Sequence, residues 1–445
     1  MTGVHPPGPT DRAAGARGTR RRIAMVGSHV GRHRFAWGLG SIALVGLAIR
    51  ITYVATVGRH LSFGLDAIWY QFQAGTIAGG KGYVDPSVSF QTGARVPTAI
   101  FPPLWPGLLA LGRVIGLDNA TGHQVVGAFV GTVTVGLTGL LGRRVAGARI
   151  GLLAAALVAV SPMLIGADGS LMSESLYVAL VTAALLACYR AIDRPTAMRF
   201  ALIGVFLGLA TLTRSDGIFL VPLLAGFTAW RVRPATTGHR LVLGLCTVGL
   251  VVVLLAPWTV RNAARLHAVI PLSNNSGSVL VAANCASTYG GPLLGTWDAS
   301  CAPPNPEGLS EVDRAAADRA IGIDFARAHV GRLPLVVAAR SLRAWGLWSP
   351  SQLTRLEAIE SRNQTWQLWG WGFGLVTLVL AVPGTVLLAR RRAVLAPLAA
   401  VVVGVTATAM TAYGSQRFAL AAGPIVAIAA ATALAQVTMG RNLRG

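Results

Sequence analysis

The 445-residue chain is 53% hydrophobic and only 12% charged, with a mean hydropathy of +0.59 and a formal net charge of +22. These figures exclude a disordered chain, a disulfide-knotted miniprotein and a soluble globule. Strong positive charge ordinarily points to nucleic acid, but here the basic residues are separated by long apolar runs, so the partner they imply is a lipid bilayer and not a nucleic acid.

Taken in chain order, residues 1–34 form a polar, basic tail (HPPGPT, then RRR) with no cleavage site after a signal-like apolar region, which reads as a disordered cytoplasmic tail. A hydrocarbon core about 30 Å thick takes roughly 20 apolar residues per helix. Ten stretches reach or approach that length: 35–57, 122–142, 150–166, 174–192, 199–213, 217–231, 241–258, 367–389, 393–412 and 418–437. The run 103–117 is apolar but short and bounded by proline, and reads as a partly inserted or re-entrant helix. The predicted fold class is therefore an all-α polytopic membrane protein with about ten transmembrane helices and two long extracytoplasmic loops, 58–121 and 259–366. The domains follow: a tail over 1–34, a transmembrane module over 35–258 that includes the loop 58–121, a loop region over 259–366, C-terminal helices over 367–437 and a second tail over 438–445.

Arginine placement sets the orientation. With residues 1–34 cytoplasmic, the cytoplasmic segments hold 21 Arg and two acids, Asp11 and Asp193, whereas the opposite side holds the other 14 acids with 15 Arg and Lys81. Five of the eleven Trp, at 345, 348, 366, 369 and 371, read as a belt at a membrane interface. Cys188 and Cys246 fall in predicted spans and read as packing residues. Cys285 and Cys301 share the second loop on the oxidising side, where a structural disulfide and two free thiols are both open.

Several ionisable residues collect at the extracytoplasmic rim. Asp66, in GLDAIWY, has apolar and aromatic neighbours that raise a carboxyl pKa and suit a general base, with Tyr70 one helical turn later on the same face; capping of a short helix is the structural alternative. Glu174 opens a span just after Asp168; the helix dipole accounts for an acid there, yet an acid near a bilayer is costly and marks function. Arg214 (GLATLTRSDG), Arg261 with Asn262 (PWTVRN) and Arg417 (YGSQRF) come from distant segments to the same rim, with Arg50 near them. One such arginine snorkels to headgroups; three together suit a lipid phosphate or diphosphate, which a guanidinium fork binds bidentately. The sequence contains no HExxH, CxxC, Walker loop, GxSxG or dinucleotide fingerprint, so metalloprotease, ATPase and serine hydrolase readings have no support.

In this order and on one predicted membrane side, Asp66-x-x-x-Tyr70, FPPLWPGLLAL, Glu174, GLATLTR and PWTVRN, followed by QRFALAAGP at 416–424, resemble the GT-C superfamily of membrane glycosyltransferases. The similarity is to its protein mannosyltransferase and aminoarabinose transferase branch and covers roughly 45–280; residues 285–365 resemble nothing specific. The resemblance implies a polyprenyl-phosphate sugar donor, a glycan, lipid or protein acceptor, and an extracytoplasmic active site in the cell membrane with Asp66 as catalytic residue. Glu174 joins it as a second catalytic acid, and Tyr70, Arg214, Arg261, Asn262 and Arg417 bind substrate. The chain departs from the family pattern where Ala67 follows Asp66 and where Ile100-Phe101 precedes Pro102-Pro103. A second acid, or a ligand for a divalent metal, would have to come from Glu174 or Asp168. A secondary transporter or lipid-linked-sugar flippase, and a catalytically silent partner of a cell-envelope enzyme, are the alternatives.

Overall fold

The structure is a computed structural model that describes residues 9–233, 235–304 and 308–441, with side chains described from 33 to 437 apart from Leu65. Among the described residues all regular structure is helical, and the one extended pairing is an isolated bridge between Val84 and Pro97. In chain order the helices are α1 (Pro9–Thr56), α2 (Leu65–Ala78), α3 (Pro86–Thr92), α4 (Leu104–Val114), α5 (Ala120–Ala146), α6 (Ala148–Ala159) and α7 (Pro162–Asp168). They continue with α8 (Glu174–Asp193), α9 (Ala197–Thr213), α10 (Leu220–Arg231), α11 (Thr237–Leu266), α12 (Ser276–Ala283), α13 (Ala286–Tyr289) and α14 (Glu311–Ala328). The last are α15 (Leu333–Ala344), α16 (Pro350–Ile359), α17 (Gln364–Arg390), α18 (Ala396–Thr411), α19 (Gln416–Ala419) and α20 (Gly423–Arg441). Side-chain caps place several starts: Asn119 accepts from Gly122 N ahead of α5, Thr196 from Arg199 N ahead of α9, and Asn363 from Trp366 N ahead of α17.

The chain is a multi-pass membrane protein. Six helical segments are long and apolar enough to cross a bilayer, and a seventh is counted when α6 and α7 are taken as one span bent by 59°. The bend falls where Ser161 is extended and Pro162, which has no N–H to donate, opens the next helix. Each of the ten predicted stretches overlaps helix, but in three the helix is shorter than a full crossing takes: 199–213 falls on α9 with 17 residues, 217–231 on α10 with 12, and 393–412 on α18 with 16. The physical causes are local. Arg214 leaves the helix with extended φ and ψ, residues Ser215–Phe219 wind as a 3₁₀ turn, and Arg392 breaks the chain at positive φ ahead of α18. The proline-bounded run 103–117 forms α4, 11 residues long. Helix α1 starts at Pro9, so the expected N-terminal tail is helical from that point, while residues 1–8 and 442–445 lie outside the described residues.

The long stretches expected as loops are built largely of helices, α2–α4 in the first and α12–α16 in the second, and lie at one end of the bundle, called here the loop end. Cys285 and Cys301 are joined as a disulfide in the second stretch, and Cys188 and Cys246 are free. Glu311, at the start of α14, accepts from Thr98 Oγ1 at 2.5 Å, Ala99 N at 2.9 Å and Asn274 Nδ2 at 2.9 Å, so one carboxylate ties the two stretches together. Within the bundle α8 and the 416–437 span are the most enclosed of the long apolar segments, and α8 is surrounded by α5, α9, α10 and the 420–422 turn. Close approach depends on small residues: a Cβ on Gly131 would overlap the Asp168 carboxylate, 1.9 Å away, so α5 accepts α7 only where it carries glycine. Of the expected Trp belt, Trp369 is exposed, whereas Trp345 donates to Thr406 Oγ1 at 3.1 Å and Trp371 to the Gly346 carbonyl at 2.8 Å.

Candidate active site

Glu174 occupies the first position of α8 and is 1% exposed. A carboxylate so enclosed needs compensating donors. Arg214 Nη1 donates to its Oε1 at 2.7 Å and Arg417 Nε donates to the same oxygen at 2.6 Å, while Arg362 Nη2 stands 4.0 Å from Oε2. The three guanidiniums reach outward to further acids: Arg214 to Asp216 at 3.1 Å, Arg417 to Glu360 at 2.9 Å and Arg362 to Glu357 at 3.0 Å. Ser415, whose hydroxyl also accepts from Arg417 N at the start of α19, donates to Glu357 Oε1 at 2.5 Å.

Asp66 completes the cluster from α2. The helix N-cap is Gly64, so Asp66 stands one position inside the first turn and does not itself cap it. Tyr70 follows one turn later, buried, its hydroxyl against Ser173 at the start of α8. Although Asp66 keeps some contact with solvent, enclosure by protein is the main reason its pKa is pushed up to about 6; Glu360 raises it next, Arg417 and Arg214 oppose, and Glu174 adds to the rise. A carboxyl near pH 6 in this setting can take a proton from a bound hydroxyl and release it again near neutrality.

Asp66, Tyr70, Glu174, Arg214 and Arg417 thus meet at the loop end, and two of the residues expected with them do not join. Arg261 spends its donors on the Thr98 carbonyl at 2.7 Å, the Tyr83 carbonyl and Asn262 Oδ1 at 2.9 Å, and its guanidinium lies over the Tyr83 and Trp258 rings. Asn262, fully buried, donates to the Ile270 carbonyl at 2.9 Å. Both are staples between α11 and the neighbouring loop-end segments and lie apart from the Glu174 cluster. Asp168 and Arg50 form their own buried pair at 2.7 Å, with Arg50 also donating to the Gly46 and Ala159 carbonyls at 3.1 Å.

The third guanidinium of the cluster, Arg362, and the acids Glu357 and Glu360 match no motif in the sequence. They lie in EAIESRN, Glu357 in the last turn of α16 and Glu360 and Arg362 in the link to α17, within the stretch that resembles nothing specific. The one hint was acids and an arginine packed into seven residues ahead of a Trp-rich span. Glu174, Glu357 and Glu360 are each engaged by arginine. Among the described residues no group of three or more His, Cys, Asp or Glu is placed to hold a metal.

Beside the cluster lies an open apolar groove walled by Leu157, Met163, Leu164, Trp345, Trp371 and Phe373. Gln416 lines this groove, and the next residue, Arg417, belongs to the cluster.

A sequence model of the dolichyl-phosphate-mannose-protein mannosyltransferases matches residues 101–259, which include Glu174 and Arg214 and end before Arg261. No curated protein matches the chain in sequence. In three dimensions it is similar to the oligosaccharyltransferase AglB of Archaeoglobus fulgidus in complex with an inhibitory peptide and a dolichol-phosphate, with a TM-score of 0.55 and 16% identity over 93% of this chain and 51% of that one. The apo oligosaccharyltransferase of Archaeoglobus fulgidus gives a TM-score of 0.55 and 17% identity over 92% of this chain and 52% of that one. The chain therefore spans about half the length of the structures it matches.

Proposed function

The chain has the GT-C fold of membrane glycosyltransferases, and from that premise we propose that it moves a sugar from a polyprenyl-phosphate donor to an acceptor hydroxyl. The observation that carries this reading is one juxtaposition: Asp66 with its raised proton affinity faces two guanidiniums, Arg214 and Arg417, beside an apolar groove that Gln416 lines. A base, an anion site and an apolar trough are the three parts such a transfer needs.

The step is a single displacement. The acceptor O–H gives its proton to Asp66 as its oxygen bonds to the anomeric carbon; the bond from that carbon to the phosphate oxygen breaks, and its electron pair leaves with the lipid phosphate. One displacement inverts the anomeric configuration. A phosphate departs as a stable anion, so no general acid is required. Arg214 and Arg417, which already lie on carboxylate oxygens, turn the same forks toward the developing charge. Glu174 holds the two guanidiniums in place, and Tyr70 borders the space in front of Asp66. The groove takes the first isoprenoid units. The same reading makes 35–258 the catalytic module, turns the loop end to the extracytoplasmic side of the cell membrane, and lets α9, α10 and α18 complete ten passes as short helices shielded by their neighbours.

Incubating membranes that contain the protein with radiolabelled polyprenyl-phosphate sugars tests the reading. Labelled glycan, lipid or protein product that is lost in Asp66→Asn while the variant still inserts supports it. Movement of label across the membrane without product would point to a flippase, and neither outcome to a silent partner.

A further inference from the structure

Glu360, paired with Arg417, has a tightly fixed place in the fold. Gly64, the N-cap of α2, lies so close to the end of α16 that a Cβ there would stand 2.3 Å from the Ile359 carbonyl oxygen and 3.5 Å from the Glu360 Cα. The Gly64 N–H, unbonded within its own helix, donates to Ser361 Oγ at 2.6 Å. Ser361 itself takes a φ of 64°, a left-handed conformation that non-glycine residues rarely adopt and that turns the chain sharply after Glu360. Residues 359–361 are thus seated on the first turn of α2, two residues before Asp66. Arg362, the next residue, is locked by Glu357, and Glu360 is held by Arg417 at 2.9 Å.

We propose that Glu360 is a positioning residue of the transfer reaction: seated on the N-terminus of α2, it confronts Asp66 with a second carboxylate and, through the Arg417 it shares with Glu174, sets the strength of Asp66 as a base. This rests on the reading of Asp66 as the base. The chain has no acid adjacent to Asp66 in sequence, and the fold brings one from almost three hundred residues away.

The groups facing Asp66 can be weighed by sign. Glu360 from the end of α16 and Glu174 from α8 favour its protonated form, and Arg417 from α19 and Arg214 from the end of α9 favour its charged form. Tyr70 on α2 and Tyr413 ahead of α19 are neutral neighbours at working pH. Replacing Glu360 by Gln removes the largest opposing charge and also frees Arg417 to act on Asp66, and both changes weaken the base. Arg417→Gln has the opposite sign.

The test is the pH profile of kcat/KM with a polyprenyl-phosphate sugar as donor, in wild type, Glu360→Gln, Glu360→Asp and Gly64→Ala. The acidic limb of Glu360→Gln is expected about one unit lower than in wild type, a tenfold change in proton affinity, with turnover retained well above the limb. Glu360→Asp should restore most of the wild-type position. Gly64→Ala, which must push 359–361 away from α2, should shift the limb in the same direction as Glu360→Gln. An unmoved limb, or loss at every pH as deep as in Asp66→Asn, would overturn the proposal. Infrared difference titration of the Asp66 carboxyl, identified by its disappearance in Asp66→Asn, gives the same comparison without turnover. A lower midpoint in Glu360→Gln supports the tuning even if wild type transfers no sugar, in which case only the transferase reading fails. An equal midpoint removes the tuning whatever the activity.

Discussion

Arg417 and Arg261 look alike in sequence, each an arginine close to the end of an apolar run, and the fold uses them in opposite ways. Arg417 lies on Glu174 and Glu360, whereas Arg261 lies on the carbonyls of Thr98 and Tyr83. A guanidinium held by carboxylates keeps its full charge in a network that an incoming phosphate can enter, because one anion exchanges for another. A guanidinium held by backbone carbonyls is a staple, and drawing it away would leave buried peptide groups unpaired. Arg340 and Arg343 on α15 follow the second pattern: Arg340 donates to the Ala283 carbonyl at 2.5 Å and Arg343 to the Leu294 carbonyl at 2.7 Å. The partner of an arginine therefore says more about its use than its position along the chain.

Four measurements can break or sharpen this contrast. The largest effect is expected from Asp66→Asn, which removes the positioned base and should lower transfer by about 10²–10⁴-fold. Because Asp66 is a carboxylate whose folded pKa lies above its unfolded value, it favours the fold at low pH and opposes it once pH rises through about 6. The variant should therefore melt at a higher temperature than wild type at pH 7, so that lost activity cannot be ascribed to lost fold. Arg417→Gln comes next, with about 10²–10³-fold lower kcat from the loss of a donor to the leaving phosphate. Third, wild-type kcat/KM should fall about tenfold per pH unit below pH 6, as proton uptake by Asp66 removes the base. The smallest effect on turnover belongs to Arg261→Gln, expected within a few-fold of wild type in kcat but with a clearly lower melting temperature. A kcat loss in Arg261→Gln as deep as in Arg417→Gln would erase the distinction.

Much of the architecture was legible because a bilayer imposes long apolar runs on the sequence. The count was less so, since α9, α10 and α18 are cut short by events that hydropathy does not register, such as the extended backbone at Arg214 and the 3₁₀ turn after it. Within the site, Asp66 and Tyr70 could be paired from their spacing of four on α2, and Glu174, Arg214 and Arg417 could be read as arriving together because each sits where an apolar helix begins or ends. Arg261 lies apart from the cluster for a physical reason: α11 continues to Leu266, more than a turn past it, so the residue lies on a helix flank and not at its end. Glu360 and Arg362 had no periodicity or motif to reveal them. Their places depend on the backbone contact between Ile359 and Gly64, a tertiary event that joins segments far apart in sequence.

The central claim, that the carboxylate-held cluster around Asp66 transfers sugar from a lipid phosphate, is tested most directly by purified protein in lipid nanodiscs given a radiolabelled polyprenyl-phosphate sugar and acceptor, with wild type, Asp66→Asn and Arg261→Gln measured side by side. The account predicts product from wild type and from Arg261→Gln and almost none from Asp66→Asn, although that variant is folded. Near-normal product from Asp66→Asn would contradict it.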